Sequence, residues 1–228
     1  MNVEYSTMHK SIQTLIKKEA TYKEAINQLL ILREKLMEEV DSFQCDLTRE
    51  QFNLMPFINV KGYHNKTIAY SLWHIFRIED IVIHSLIKGD EQIFFKGNYQ
   101  ELINSPITTT GNELIKQQIK DFSEKLDLKQ LYKYIKEVKE STDHILKDLS
   151  YQDLKRKITV EERLYLESLN VVSKDENAHW LIDYWCKKDV RGLILMPLSR
   201  HWIMHIEASI RIRNKVIGEE HGASTSKY

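Results

Sequence analysis

The sequence predicts an all-α protein, a four-helix bundle with short accessory helices, and three observations carry that expectation. Only 7 glycines and 3 prolines occur in 228 residues, and the charged residues, mostly Lys and Glu, stand at helical spacing. Apolar residues recur in alternating steps of three and four over several long stretches, the period of a helix buried along one side. Between those stretches, capping-box patterns mark the starts of shorter helices. With 42% hydrophobic residues and no internal repeat or linker, one domain over residues 1–217 is expected, followed by a disordered tail over 218–228.

The first long helix is expected over residues 9–43. Ile12, Leu15, Glu19, Tyr22, Ile26, Leu29, Arg33, Leu36, Val40 and Phe43 form its seam. Charge interrupts the seam twice: Glu19 reads as a wet point near the helix start, and Arg33 as a side chain reaching out to solvent on its long stem. Thr48-Arg49-Glu50-Gln51 is a capping box opening a short helix before Pro56, and residues 57–65, with Gly62, read as a loop. The second long helix covers residues 66–88 and stops at Gly89-Asp90. Its seam is Ile68, Leu72, Ile75, Glu79, Val82 and Leu86, so Glu79 is a carboxylate at a core-like position. His74 lies on the neighbouring stripe, at the edge of the buried face.

Residues 90–106 read as a loop-rich connection whose Phe94, Phe95 and Tyr99 cover the bundle or line a substrate. Thr110-Gly111-Asn112-Glu113 is a second capping box, opening a helix to about residue 122. The third long helix carries Leu128, Leu131, Ile135, Val138, Thr142, Ile145 and Leu149, with Asp143 and His144 off the seam and solvated. Thr159-Val160-Glu161-Glu162 and Ser173-Lys174-Asp175-Glu176 open two further short helices. Asp189 caps the last long helix, over residues 190–216, which Pro197 should kink.

Lys+Arg and Asp+Glu are equal at 33 each, so no overall field draws in nucleic acid or a membrane surface, and neither is expected as a partner. No run approaches ~18 apolar residues, and no signal-peptide pattern opens the chain, which makes a cytoplasmic protein the expectation. Cys45 and Cys186 form no C-x-x-C pair and read as two ordinary thiols. P-loop, G-x-G-x-x-G, G-x-S-x-G and H-E-x-x-H patterns are all absent from the sequence.

The chemistry gathers instead on the last helix. Its seam is Ile194, Leu198, His201, His205, Ala208 and Ile212, and the two histidines point about 40° apart, one turn above the other. A hydrogen-bonded core pair is one reading, but each ring brings two nitrogens that need partners, and a bound metal ion is the simplest answer. A site with an open coordination position needs a third ligand. His74 is the best candidate, and His179, beside Asp183 one turn on, competes with it. His64 sits in a loop, His84 lies too far along and round from His74, and His9, His144 and His221 read as surface residues. Glu79 and Glu207 are on the right helices to orient the imidazoles or act as general bases, although an exposed helix position explains Glu207 equally well. Arg200 either holds a substrate carboxylate or faces solvent. Trp73 and Trp202, each next to a histidine, read as core packing.

At these residues the chain resembles the DinB/YfiT-like superfamily of four-helix metal proteins. The likeness rests on His74 in Ser71-Leu72-Trp73-His74-Ile75-Phe76, on His201 and His205 four apart in the last helix, and on Leu47-Thr48-Arg49-Glu50-Gln51-Phe52 before the Thr67-Ile68 helix start. The resemblance implies an up-down-down-up bundle with one divalent metal, zinc or nickel and sometimes iron or manganese, held by His74, His201 and His205. It implies a small-molecule substrate, and either transfer of a low-molecular-weight thiol cosubstrate to a small electrophile or metal-dependent hydrolysis; a non-catalytic, stress-associated bundle is the other outcome. A homodimer through exposed helix faces follows from family habit. The long N-terminal helix and the short helices over residues 150–188 depart from that family's pattern, and they leave the pocket, and so the substrate, open.

Overall fold

The seam expected over residues 9–43 folds as a hairpin of two helices in the computed structural model, which describes residues 2–225. α1 spans Val3–Leu15, α2 spans Tyr22–Asp46, and the two pack against each other. The break has a local cause. Lys17, Lys18, Glu19 and Ala20 are all exposed, and the Thr21 hydroxyl donates back to the Leu15 carbonyl at 2.7 Å, satisfying a group that α1 leaves open at its end. Glu19 is thus in a solvated turn and belongs to no seam.

After a short 3-10 turn, Gln51–Asn53, the chain enters α3, Ile68–Asp80, whose first turn is capped by the Thr67 hydroxyl accepting from the Tyr70 N–H. Every residue of α3 is buried. It runs on as a π-helical stretch, Ile81–Lys88, and stops at Gly89, whose φ of 75° is the left-handed conformation that ends helices. Two one-turn helices, α4 (Ile93–Lys96) and α5 (Tyr99–Leu102), fill the connection read as loop. The box expected at Thr110 opens no helix: α6 begins later, at Gln117–Lys125.

α7 covers Leu128–Asp148, and α8 (Tyr151–Lys155), α9 (Val160–Ser168) and α10 (Glu176–Cys186) make up the segment that follows. The Thr159 box forms reciprocally with Glu162, whereas α10 is capped by Asp175, not Ser173. Asp189 caps α11, Val190–Leu195, as expected. Pro197 then acts differently from a simple kink. It sits in a π-helical turn, Met196–Arg200, through which the helix runs on without a break into α12, His201–Thr225. α12 continues past Gly218, where a disordered tail was expected to begin; residues 226–228 lie outside the described residues.

The fold is all-α. Among the described residues there is no strand, only an isolated bridge between Lys157 and Asp189, and no helix is long and apolar enough to cross a membrane. α3 packs on α7 and α12, and α2 packs on the same two helices, enclosing a core that includes Leu29, Trp73, Ile135 and Trp202. A smaller core forms where Leu166 of α9 and Leu181 and Trp185 of α10 meet Ile78 and Val82.

Arg33 does not reach solvent. Its guanidinium is fully buried, donates to both oxygens of Glu79 at 2.8 Å and to Asp143 at 2.6 Å, and stacks on the Trp202 ring at 4.3 Å. Burial works against its charge, but Glu79 and Asp143 outweigh that and raise its pKa. Asp143, expected in solvent, is buried here and also meets Lys139 at 3.0 Å. His144 is exposed as expected.

Candidate metal centre

α3 and α12 lie side by side, and this packing brings the middle of one against the first two turns of the other. His74 projects from α3; His201 and His205 project from α12, one turn apart. Their ring centroids form a nearly equilateral triangle, 5.0 Å from His74 to His201, 4.9 Å from His74 to His205 and 4.6 Å from His201 to His205. Each ring offers a ligand nitrogen within 4.8 Å of the others, and all three residues are buried. This group could hold a metal ion.

The electrostatics suit ligation. Burial pushes the His74 pKa down to about 4, and burial with the neighbouring imidazoles pushes those of His201 and His205 well below the ordinary histidine value. All three rings are therefore neutral near pH 7, each with an in-plane lone pair. His74 Nδ1 donates to the Thr110 carbonyl at 2.7 Å, which leaves its Nε2 as the unprotonated nitrogen. That Nε2 faces His201 Nε2 at 3.2 Å. Such a pair can share one hydrogen bond, but the Nδ1 atoms of His201 and His205 remain buried without a partner.

The loop at Thr110-Gly111, where the sequence predicts a helix start, supplies the orienting carbonyl. Gly111 has φ of 74°, and a Cβ built there would stand 3.0 Å from the Trp73 ring, so the loop lies tight against α3 because this residue has no side chain. The Tyr70 hydroxyl donates to the Gly111 carbonyl at 2.8 Å, and the Tyr70 ring stacks on His74 with centroids 5.4 Å apart.

The imidazoles floor a cavity of about 360 Å³. Tyr63 and Lys66, from the loop before α3, form one wall. Met196 and Pro197 of the π turn form another, and α10 contributes Trp180, Leu181, Tyr184 and Trp185 to the lining. The segment over residues 150–188 therefore reaches the site through α10. None of these lining residues carried a motif; the aromatic density of α10 in a polar stretch was the one available signal.

The other candidates are placed elsewhere. His179 is exposed and outside the histidine group. His84 is buried but bonded to Asp90 at 2.5 Å, and His9, expected at the surface, is buried with Nε2 donating to the Leu195 carbonyl at 3.0 Å. Glu79 is committed to Arg33, and Glu207 accepts from the Asn2 N–H at the start of α1. Neither orients His201 or His205, whose Nδ1 atoms lack partners. Arg200 is exposed and is not among the residues lining the cavity. The side chain of His221 lies outside the described ones. Both cysteines are free, and burial pushes the Cys186 thiol up to about 11, far from a reactive thiolate.

Compared with known proteins, the chain matches no protein-family model and no curated protein.

Proposed function

We propose that this chain is a divalent-metal protein of the DinB/YfiT-like kind, with α2, α3, α7 and α12 as an up-down-down-up bundle and His74, His201 and His205 as ligands to one zinc or nickel ion. The observation that carries the reading is the convergence of three buried, neutral imidazoles at the floor of a cavity. The donor set fits: imidazole suits zinc and nickel, and three protein ligands leave the open position that marks catalytic rather than structural sites. The unpartnered Nδ1 atoms of two of the rings fit it less well than the His74–Thr110 pair does.

When bound, the ion supplies Lewis acidity and draws down the pKa of a thiol or water held beside it. The chain's own residues do the rest. Thr110 holds His74 in the right tautomer, Tyr63 and Tyr70 pack the rings in place, and α10 lines the cavity beside them. Among the described residues lining the cavity no carboxylate stands ready to take a proton from water. That favours transfer of a low-molecular-weight thiol to a small electrophile over hydrolysis. A reducing, cytoplasmic setting goes with such a cosubstrate and with two free cysteines.

Purification without a histidine tag should yield about one divalent ion per chain, lost in His201→Ala. Metal content near zero with no retention of added zinc or nickel would sink the proposal. Turnover of an electrophile across a panel of thiols, against thiol-free controls, then separates transfer from hydrolysis, and no turnover at all points to a non-catalytic bundle.

A further inference from the structure

The cavity wall carries one cationic side chain, Lys66, and among the described residues that line it there is no aspartate or glutamate. Lys66 is half-buried. Its ammonium stands 5.4 Å from the centre of the Tyr70 ring, and no carboxylate among the described residues pairs with it. The contrast with Lys139 is informative: that lysine, also half-buried, meets both Glu34 and Asp143. Burial lowers the Lys66 pKa, which is what a partly desolvated charge without a counter-charge shows. The Tyr70 ring beside it stacks on His74, so Lys66 stands at the histidine end of the cavity. The α10 side of the cavity is aromatic, and its Trp180 and Tyr184 rings meet edge to face. Trp180, 51% exposed, forms its rim, with Tyr184 and Trp185 behind it.

We infer that this site takes an amphipathic monoanion, with an apolar ring body packed against Trp180, Tyr184 and Trp185 and a carboxylate or other singly charged group set between Lys66 and the histidines. The inference deepens the metal-centre reading and rests on it, because a bound divalent ion adds positive charge at the same end of the cavity. A volume of about 360 Å³ is at the small end for ligand pockets and limits the body to roughly one or two rings. A cationic ligand would meet the uncompensated lysine and, with metal bound, a second positive charge at the same end.

Calorimetric titration of the full, zinc-loaded chain with 2-naphthoate, 2-naphthalenemethanol and 2-naphthylmethylammonium tests this, with zinc retention measured in the same samples. Naphthoate should bind about tenfold or more tighter than the alcohol, and the ammonium should bind weakest. The preference for naphthoate should fall about tenfold in Lys66→Met and survive in Lys66→Arg, with binding of the alcohol unchanged. Zinc retained with no naphthoate preference, or a preference undiminished in Lys66→Met, overturns the anion inference and leaves the metal centre standing. Zinc not retained overturns the metal centre and the inference with it. The comparison of three ligands on the unaltered chain keeps the test decisive even where a variant fails to fold.

Discussion

A neutral imidazole ligates a metal and an imidazolium does not, so the burial of His74, His201 and His205 has a consequence for acid stability. In the unfolded chain these rings titrate near 6.5, whereas in the fold His74 is pushed down to about 4 and the other two well below the ordinary value. Between those limits the unfolded chain binds more protons, so stability falls as pH falls through the window. Each buried imidazole contributes a slope of about 1.4 kcal/mol per pH unit, and His74 alone a loss on the order of 3 kcal/mol by pH 4. Denaturant midpoints of metal-depleted protein at pH 7, 6 and 5 should descend in order; a flat series refutes this. Gly111→Ala is the second prediction at this scale. A methyl at φ of 74° and 3.0 Å from Trp73 should cost about 1–3 kcal/mol. It should also weaken metal binding roughly tenfold or more by shifting the Thr110 carbonyl. Competition with a chromogenic chelator reads the affinity. The histidine pair on α12 was legible because four-residue spacing is local to one helix. Thr110 was not, because a backbone carbonyl carries no side-chain signature.

Among elements, the junction of α2, α3 and α7 depends on one guanidinium. Arg33→Met strands Glu79 in the core and leaves Asp143 with Lys139 alone, at a cost of about 3–5 kcal/mol. Adding Glu79→Leu should recover most of that loss, because the remaining carboxylate still has its lysine; urea midpoints of the two variants decide it. Arg33 also donates to the Leu198 carbonyl at 3.1 Å, inside the π turn that leads into His201. Metal affinity should therefore drop in Arg33→Met as well and stay low in the double variant. Arg33 and Glu79 are each legible as a single charged residue on its own seam. What the one-dimensional pattern could not show is that Arg33 and Glu79, of opposite sign, face each other at one level of the interior. The turn after α1 escaped for a different reason: Lys17-Lys18-Glu19-Ala20 holds no glycine or proline, and the three-four alternation continues across it by coincidence.

At the scale of the whole molecule, a ligand that binds only the folded chain stabilises it by mass action. Zinc at about a hundred times its dissociation constant should add about 2.7 kcal/mol, which for a chain of this size raises Tm by roughly 5–10 °C. Scanning calorimetry with and without a chelator checks this, and no shift counts against the metal centre. Class and main core followed from period and composition, because those are properties of long stretches. The arrangement of α9 and α10 did not, since their apolar faces are completed by Ile78 and Val82 from a distant helix. Those same helices have a further importance. The three histidines stand on α3 and α12, while the aromatic lining stands on α10, so under the proposed function reactivity and choice of guest are written in separate stretches of chain. Exchanging Trp180 or Tyr184 for other shapes would retune which molecules enter while leaving the grip beneath them intact.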